Sequence, residues 1–258
     1  MSEPRSGAEE RAAERASSSG APHSHSHHQG GHFDGIAHEY DESIPEHVME
    51  HYHRKRVAVL RKWAPAGGRV LDVGCGTGAL IKRNDTHFSI YGVDPSLGML
   101  RVLATPRPEI RLAAADGSTL PFRDEVFDLV YCVAVLHHVI EPAAVKRTLS
   151  EMVRVTARGG HVVVWDHNAR NPYWPYLMKR VPQDHGDERL VPEEEILAGL
   201  EGAGAELVSS SQLGLVPDFA PRSLVGTFAG LERLVEAVPG VRRLCAHNVV
   251  VARRPAAQ

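Results

Sequence analysis

Nine residues, Val70-Leu71-Asp72-Val73-Gly74-Cys75-Gly76-Thr77-Gly78, restrict what this chain can fold into more than any other stretch. A short apolar run that stops at three glycines spaced two apart reads as a buried parallel strand entering a tight turn, with a helix beginning near Ala79. Glycine tolerates positive φ and carries no Cβ, so the main chain bends sharply at the strand's carboxyl end and a ligand can approach it closely. Such a turn serves a phosphate, a dinucleotide or a sulfonium nucleoside. Spacing separates them in part: dinucleotide folds use G-x-G-x-x-G, this chain has G-x-G-x-G, and no Gly-Lys-Ser/Thr follows to build a triphosphate loop.

The Leu71–Gly78 run resembles the first motif of the class I S-adenosylmethionine-dependent methyltransferases, small-molecule members of the type 11 kind. The resemblance implies an α/β fold, a Rossmann-like doubly wound seven-stranded sheet, mostly parallel with an antiparallel last strand, and N-terminal lid helices. It also implies S-adenosylmethionine as cofactor, leaving S-adenosylhomocysteine as product. Later motifs fall in family order. Phe33-Asp34-Gly35-Ile36-Ala37-His38-Glu39-Tyr40-Asp41 is similar to the entry helices that cover the family's cofactor pocket, with Tyr40 as a lid residue or a packing residue.

Strand two, Ser89–Val93, ends at Asp94, twenty residues after Gly74, where a carboxylate reads a ribose diol. Asp94-Pro95-Ser96 also reads as a helix N-terminus, ahead of a helix from Leu97 to about Ala104. Strand three, Ile110–Ala114, runs into Asp116-Gly117, the place of the family's adenine-reading acid. Strand four, Phe127–Val133, brings main chain near Cys132 and Val133 toward the methionine end of the cofactor. The resemblance therefore places Asp72, Gly74, Cys75, Gly76, Gly78, Asp94, Pro95, Asp116, Gly117 and Val133 at the cofactor.

Methyl transfer needs positioning, and in some cases a base; histidine near its ordinary pKa suits that role. The candidates are His137, His138 and His167, with Asp166 able to orient an imidazole. Natural-product methyltransferases of this fold pair a histidine after strand four with an aspartate ending strand five, which matches His138 with Asp166. Adjacent side chains diverge, so at most one of His137 and His138 is expected to face the pocket. Polar Asp166–Pro172 and aromatic Tyr173, Trp174 and Tyr176 suggest a wall for an acceptor with an apolar body.

At 258 residues and 43% hydrophobic content, one catalytic domain is expected over 65–258, with insertions near 167–190 and 214–244. Residues 32–64 read as lid helices, and 1–31, ending among His23, His25, His27, His28 and His32, as a disordered tail. Strands six and seven are expected at Glu206–Leu213 and 246–252. The net charge of −3 gives no global basic field, so neither nucleic acid nor membrane is expected as partner, although a local basic patch is compatible with it. Three scattered cysteines suit a reducing cytoplasm and no metal site. The expected partner is a small-molecule methyl acceptor, a secondary metabolite methylated on a hydroxyl. Nitrogen or carbon acceptors, a nicotinamide oxidoreductase and a non-catalytic cofactor-binding module stand as alternatives, and the oligomeric state is left open, a homodimer included.

Overall fold

The computed structural model describes residues 26–40, 44–179 and 188–256. His23, His25, Asp41 and the 180–187 part of the first insertion lie outside the described residues. Seven strands form one sheet in the order β3-β2-β1-β4-β5-β7-β6. They are β1 (Arg69–Val73), β2 (Ser89–Asp94), β3 (Arg111–Ala114), β4 (Phe127–Val133), β5 (Thr156–His167), β6 (Glu206–Leu213) and β7 (His247–Arg253). β7 runs antiparallel to both β5 and β6, and the remaining pairings are parallel. The reversal of strand order between β1 and β4 opens a crevice at their carboxyl ends, and the glycine turn stands in it.

Period-two alternation in β1 supplies both faces of the sheet. Leu71 and Val73 join one core with Val145, Leu149 and Met152 of α5 (Pro142–Val155) and Ile196 and Leu200 of α7 (Glu193–Gly202). Val70, Leu129, Tyr131 and Val163 face the other way, against Leu60 of α2 (Glu46–Trp63) and Leu100 and Leu103 of α4 (Leu97–Ala104). Strands buried on both faces explain why β1 and β4 read as near-continuous apolar runs.

Some boundaries differ from the sequence reading. α1 spans Ser26–Ile36, so helix reaches into a tail expected to be disordered through residue 31. Its anchor is tertiary: Asp34 accepts hydrogen bonds from Ser96 Oγ and the Gly98 amide, both at 2.6 Å, tying α1 to the start of α4. The helix after the glycine turn, α3, is one turn long at Ile81–Asn84 and starts later than Ala79. The second insertion holds a 3₁₀ turn (Arg222–Leu224), α8 (Val225–Ala237) and α9 (Pro239–Arg242); in the first, α6 is Trp174–Leu177.

The turn itself is held by main chain. The amides of Gly74 and Cys75 both donate to the Val93 carbonyl, at 2.8 and 3.0 Å. Gly78 has φ +78°, and a Cβ there would lie 2.4 Å from Leu103. Gly78→Ala is therefore expected to cost roughly 2–4 kcal/mol in chemical denaturation, from overpacking plus left-handed backbone. Adding Leu103→Ala should not restore stability, since it answers only the steric part; a Gly78→Ala chain of unchanged stability would refute this account.

Candidate active site

The turn, the β4 and β5 ends, α2 and the segment before α8 enclose a cavity of about 420 Å³. One end is Asp72, Gly74, Cys75, Gly76 and Thr77; the other is His167, Trp174, Leu215, Phe219 and His247, with Val133, Ala134, His137 and His138 between. Tyr40, Tyr52, His53 and Arg56 form the wall toward the N-terminal helices.

Gly76 has φ +51°, and a Cβ there would meet no atom within 4 Å, so bare main chain faces open space. Bare main chain of this kind lets a ligand approach closely. Asp72 is 3% exposed; burial pushes its pKa up to about 7, while a 2.8 Å hydrogen bond from the Tyr131 hydroxyl works against the rise. Burial also raises Asp94, whose two oxygens accept from the Ser96 amide (2.9 Å) and the Gly76 amide (2.8 Å). Asp94 therefore bridges the glycine turn to the start of α4, but the helix cap is Ser96, whose Oγ accepts from the Met99 amide. Asp94, Pro95, Asp116, Gly117 and Gly78 are absent from the cavity wall described above, whereas Tyr40, Asp72, Gly74, Cys75, Gly76 and Val133 belong to it. Asp116 closes its own turn by accepting from the Ser118 amide at 2.7 Å.

The histidines resolve differently from the expected pair. Asp166 is fully buried and its Oδ2 accepts from the amides of Val135 (3.1 Å) and Leu136 (2.6 Å). Its Oδ1 accepts from the His167 amide at 2.7 Å and lies 2.8 Å from His137 Nδ1. His137, then, is the imidazole Asp166 orients, and the His138–Asp166 pairing is corrected; both histidines line the cavity, where at most one was expected, because the 3₁₀ turn does not send adjacent side chains to opposite faces. His138 stacks edge-on to Phe33 of α1, with ring centroids 5.1 Å apart. The parity is decided by Ala134, held at φ +57° as its amide donates to the Trp165 carbonyl, and by the 3₁₀ turn Leu136–His138 that follows.

His167 Nδ1 lies 2.8 Å from His137 Nδ1. Burial would raise Asp166, yet His137 and the backbone amides outweigh it and keep the group a carboxylate. Burial, then neighbouring imidazoles, hold His167 well below its ordinary pKa and neutral. The Nδ1–H tautomer of His137 satisfies both contacts, and in that tautomer Nε2 carries the lone pair. The same three side chains offer donor atoms within 4.8 Å of one another, a set able to hold a metal ion.

Sequence reasoning missed α2's contribution. Arg56 is four residues after Tyr52, so both lie on one helix face. Its Nε is buried with no hydrogen-bond partner, and its guanidinium lies over the rings of Trp165 and Tyr52 at 5.7 and 5.9 Å. Burial draws its pKa down to about 10, which still leaves a cation in the wall. The only signal in the sequence was a basic residue within an apolar helical stripe.

Residues 71–164 match the family model described as a methyltransferase domain. A demethylmenaquinone methyltransferase of Renibacterium salmoninarum is 39% identical over 158 residues, 58% of this chain and 65% of the relative. One from Streptomyces avermitilis is 34% identical over 160 residues, covering 58% of this chain and 67% of that protein. The chain spans just under two thirds of the first of these relatives. A solved S-adenosylmethionine-dependent methyltransferase from Thermotoga maritima shares the fold, with a TM-score of 0.65 at 20% identity over 88% of this chain and 99% of that one.

Buried neutral imidazoles give the site an acid limit. Burial, with Arg56 nearby, lowers His247 to about 3. The unfolded chain takes up this proton near pH 6.5 and the folded chain does not, so the stability it contributes is present above about 6.5 and lost as pH falls. Between about pH 7 and about pH 5 the loss is about 2 kcal/mol. Asp72 has the opposite sign: held protonated by the fold, it favours the folded state at low pH and loses that advantage as pH rises toward 7. His247→Phe should therefore shrink the fall in melting temperature from about pH 7 to about pH 5; an undiminished fall would exclude His247 as its source.

With strand order, glycine cradle, matched domain and curated relatives in agreement, the chain belongs to the class I S-adenosylmethionine-dependent methyltransferases, which use S-adenosylmethionine as cofactor.

Proposed function

We propose that this protein methylates a small molecule at a hydroxyl oxygen, with His137 as general base, Asp166 as its positioning residue and Arg56 as the cation facing the developing oxyanion. The observation that carries the reading is the 2.8 Å contact between His137 Nδ1 and Asp166 Oδ1 at the floor of the cavity, beside the glycine turn. Relatives named for demethylmenaquinone support a small-molecule acceptor.

S-adenosylmethionine supplies a methyl group already activated on a sulfonium, so no protein nucleophile is needed. The chain's residues position the acceptor and manage one proton. Asp166 keeps the His137 proton on Nδ1, which leaves Nε2 to accept the hydroxyl proton, while the negative Asp166 stabilises the imidazolium that results. Arg56 offsets the charge on the acceptor oxygen, and its Nε gains an acceptor that the protein does not provide. Trp174, Tyr173 and Phe219 fit an acceptor with an apolar body. The cofactor's ribose and adenine are assigned to Asp94 and Asp116 beyond the cavity wall, with Tyr40 over the methionine end.

Mass spectrometry of metabolite extracts should reveal a cofactor-dependent gain of one methylene mass, and calorimetry should show S-adenosylhomocysteine binding in preference to NAD. With an acceptor in hand, His137→Ala should lower turnover roughly 10²- to 10⁴-fold while cofactor affinity holds. His138→Ala should cost much less. Equal losses from the two, or unchanged turnover in His137→Ala, would remove His137 from the mechanism. Arg56→Met should depress turnover with the cofactor still bound, and Arg56→Lys should recover part of it.

A further inference from the structure

The second insertion carries a surface that the catalytic reading leaves unused. Between β6 and β7 the chain has three acids, Asp218, Glu232 and Glu236, and four bases, Arg222, Arg233, Arg242 and Arg243. All three acids are engaged inward. Glu232 is 1% exposed and accepts from Lys55 and His51 of α2 and from the Leu215 and Val216 amides. Glu236 accepts from Lys55 and the Gly214 amide, and Asp218 from the Tyr173 hydroxyl at 2.7 Å. No carboxylate among the described residues pairs with any of the four arginines, of which Arg222, Arg233 and Arg243 are exposed and Arg242 half-buried.

Between these arginines the outer side is apolar. Leu231 and Leu234 lie on one face of α8 at 49% and 68% exposure, flanked by Leu224, Val238, Val241 and Leu244, all 45–55% exposed. Val225, Phe228 and Ala229 of the same helix already fill the inner side, against Val48 and Tyr52. A helix apolar on both sides, with its acids inside and arginines outside, has no partner for its outer side among the described residues.

We propose that this face docks on an anionic lipid bilayer and lies on it, with the apolar residues at the acyl boundary and the arginines reaching the phosphates. Charge selects that occupant over a second copy of the chain, because symmetric pairing of two such faces would set arginine against arginine. A bilayer surface accommodates both features at once. Among the described residues no helix is long and apolar enough to cross a membrane, which accords with surface docking. The net charge of −3, the ground for expecting no membrane partner, averages over the molecule and hides a local cationic patch.

The patch adjoins the cavity. Leu215, Pro217 and Phe219 line the mouth, and Phe219 is also 69% exposed. An apolar acceptor dissolved in the bilayer would enter without crossing water; this part of the inference rests on the proposed methyl transfer, whereas the docking does not.

Vesicle co-sedimentation tests it with the full chain: phosphatidylglycerol and phosphatidylcholine in equal parts against phosphatidylcholine alone, at low and high salt. Binding should require the anionic lipid, weaken with salt, and fall roughly tenfold or more in Leu231→Glu/Leu234→Glu and in Arg233→Glu. Calorimetry with S-adenosylhomocysteine should read the same for these variants as for the parent, which shows that they fold. Equal sedimentation of parent and variants, or no binding to either vesicle, would overturn the proposal. So would a dimer in light scattering that Leu234→Glu dissolves, which would make the face a self-association surface. Failure of the parent to bind S-adenosylhomocysteine would count against the methyl-transfer reading and leave the vesicle result standing.

Discussion

A single buried carboxylate organises the reactive end of this molecule. Asp166 sits near the carboxyl end of β5, fully removed from water, where an unpaired charge would be costly. Its oxygens collect three main-chain amides and one imidazole, and by doing so join the loop after β4 to the end of β5. The energetics and the function therefore share a cause. The donors that make the buried charge tolerable also fix the His137 ring against the cavity.

A second carboxylate system braces the glycine turn. Asp94 ties the glycine turn to Ser96, and Asp34 from α1 closes on the Ser96 hydroxyl and the Gly98 amide. The entry helix is thus attached where the turn is braced, and its Phe33 reaches Tyr40 and His138. Helix, turn and histidine loop are linked, so a ligand that orders one bears on the others. Arg56 enters the same enclosure from α2, a cation whose buried Nε has only aromatic faces for company. Burial disfavours that charge and Tyr52, Tyr40 and Asp166 offset the cost in part, while Nε keeps a donor with no partner among the described residues.

Much of this was legible in the residues. β4, β6 and α4 lie at the boundaries that their patterns predict; a strand buried on both faces such as β4 and a short apolar helix between breakers such as α4 carry strong local signals. The acids at the ends of β2 and β5 were also visible as candidates. What was not legible was which of two adjacent histidines meets Asp166. That depends on one left-handed alanine, Ala134, and a 3₁₀ turn, neither of which alanine or histidine prefers on its own. Helix N-capping at Asp94 failed for a similar reason, since Ser96 is two residues nearer the helix and its hydroxyl reaches the Met99 amide.

The sequence by itself determined the sheet, the glycine cradle and the set of groups from which an active site can be drawn. Those features follow from hydrophobic period and from glycine's missing side chain, both local properties. Only the tertiary structure decided that His137 takes the carboxylate, that Arg56 and Tyr52 line the cavity, and that the acids of the second insertion turn inward while its arginines stay out. The contacts behind them include pairs 29 and 181 residues apart, where the winning partner is set by burial and satisfied hydrogen bonds and leaves no periodic trace in the chain.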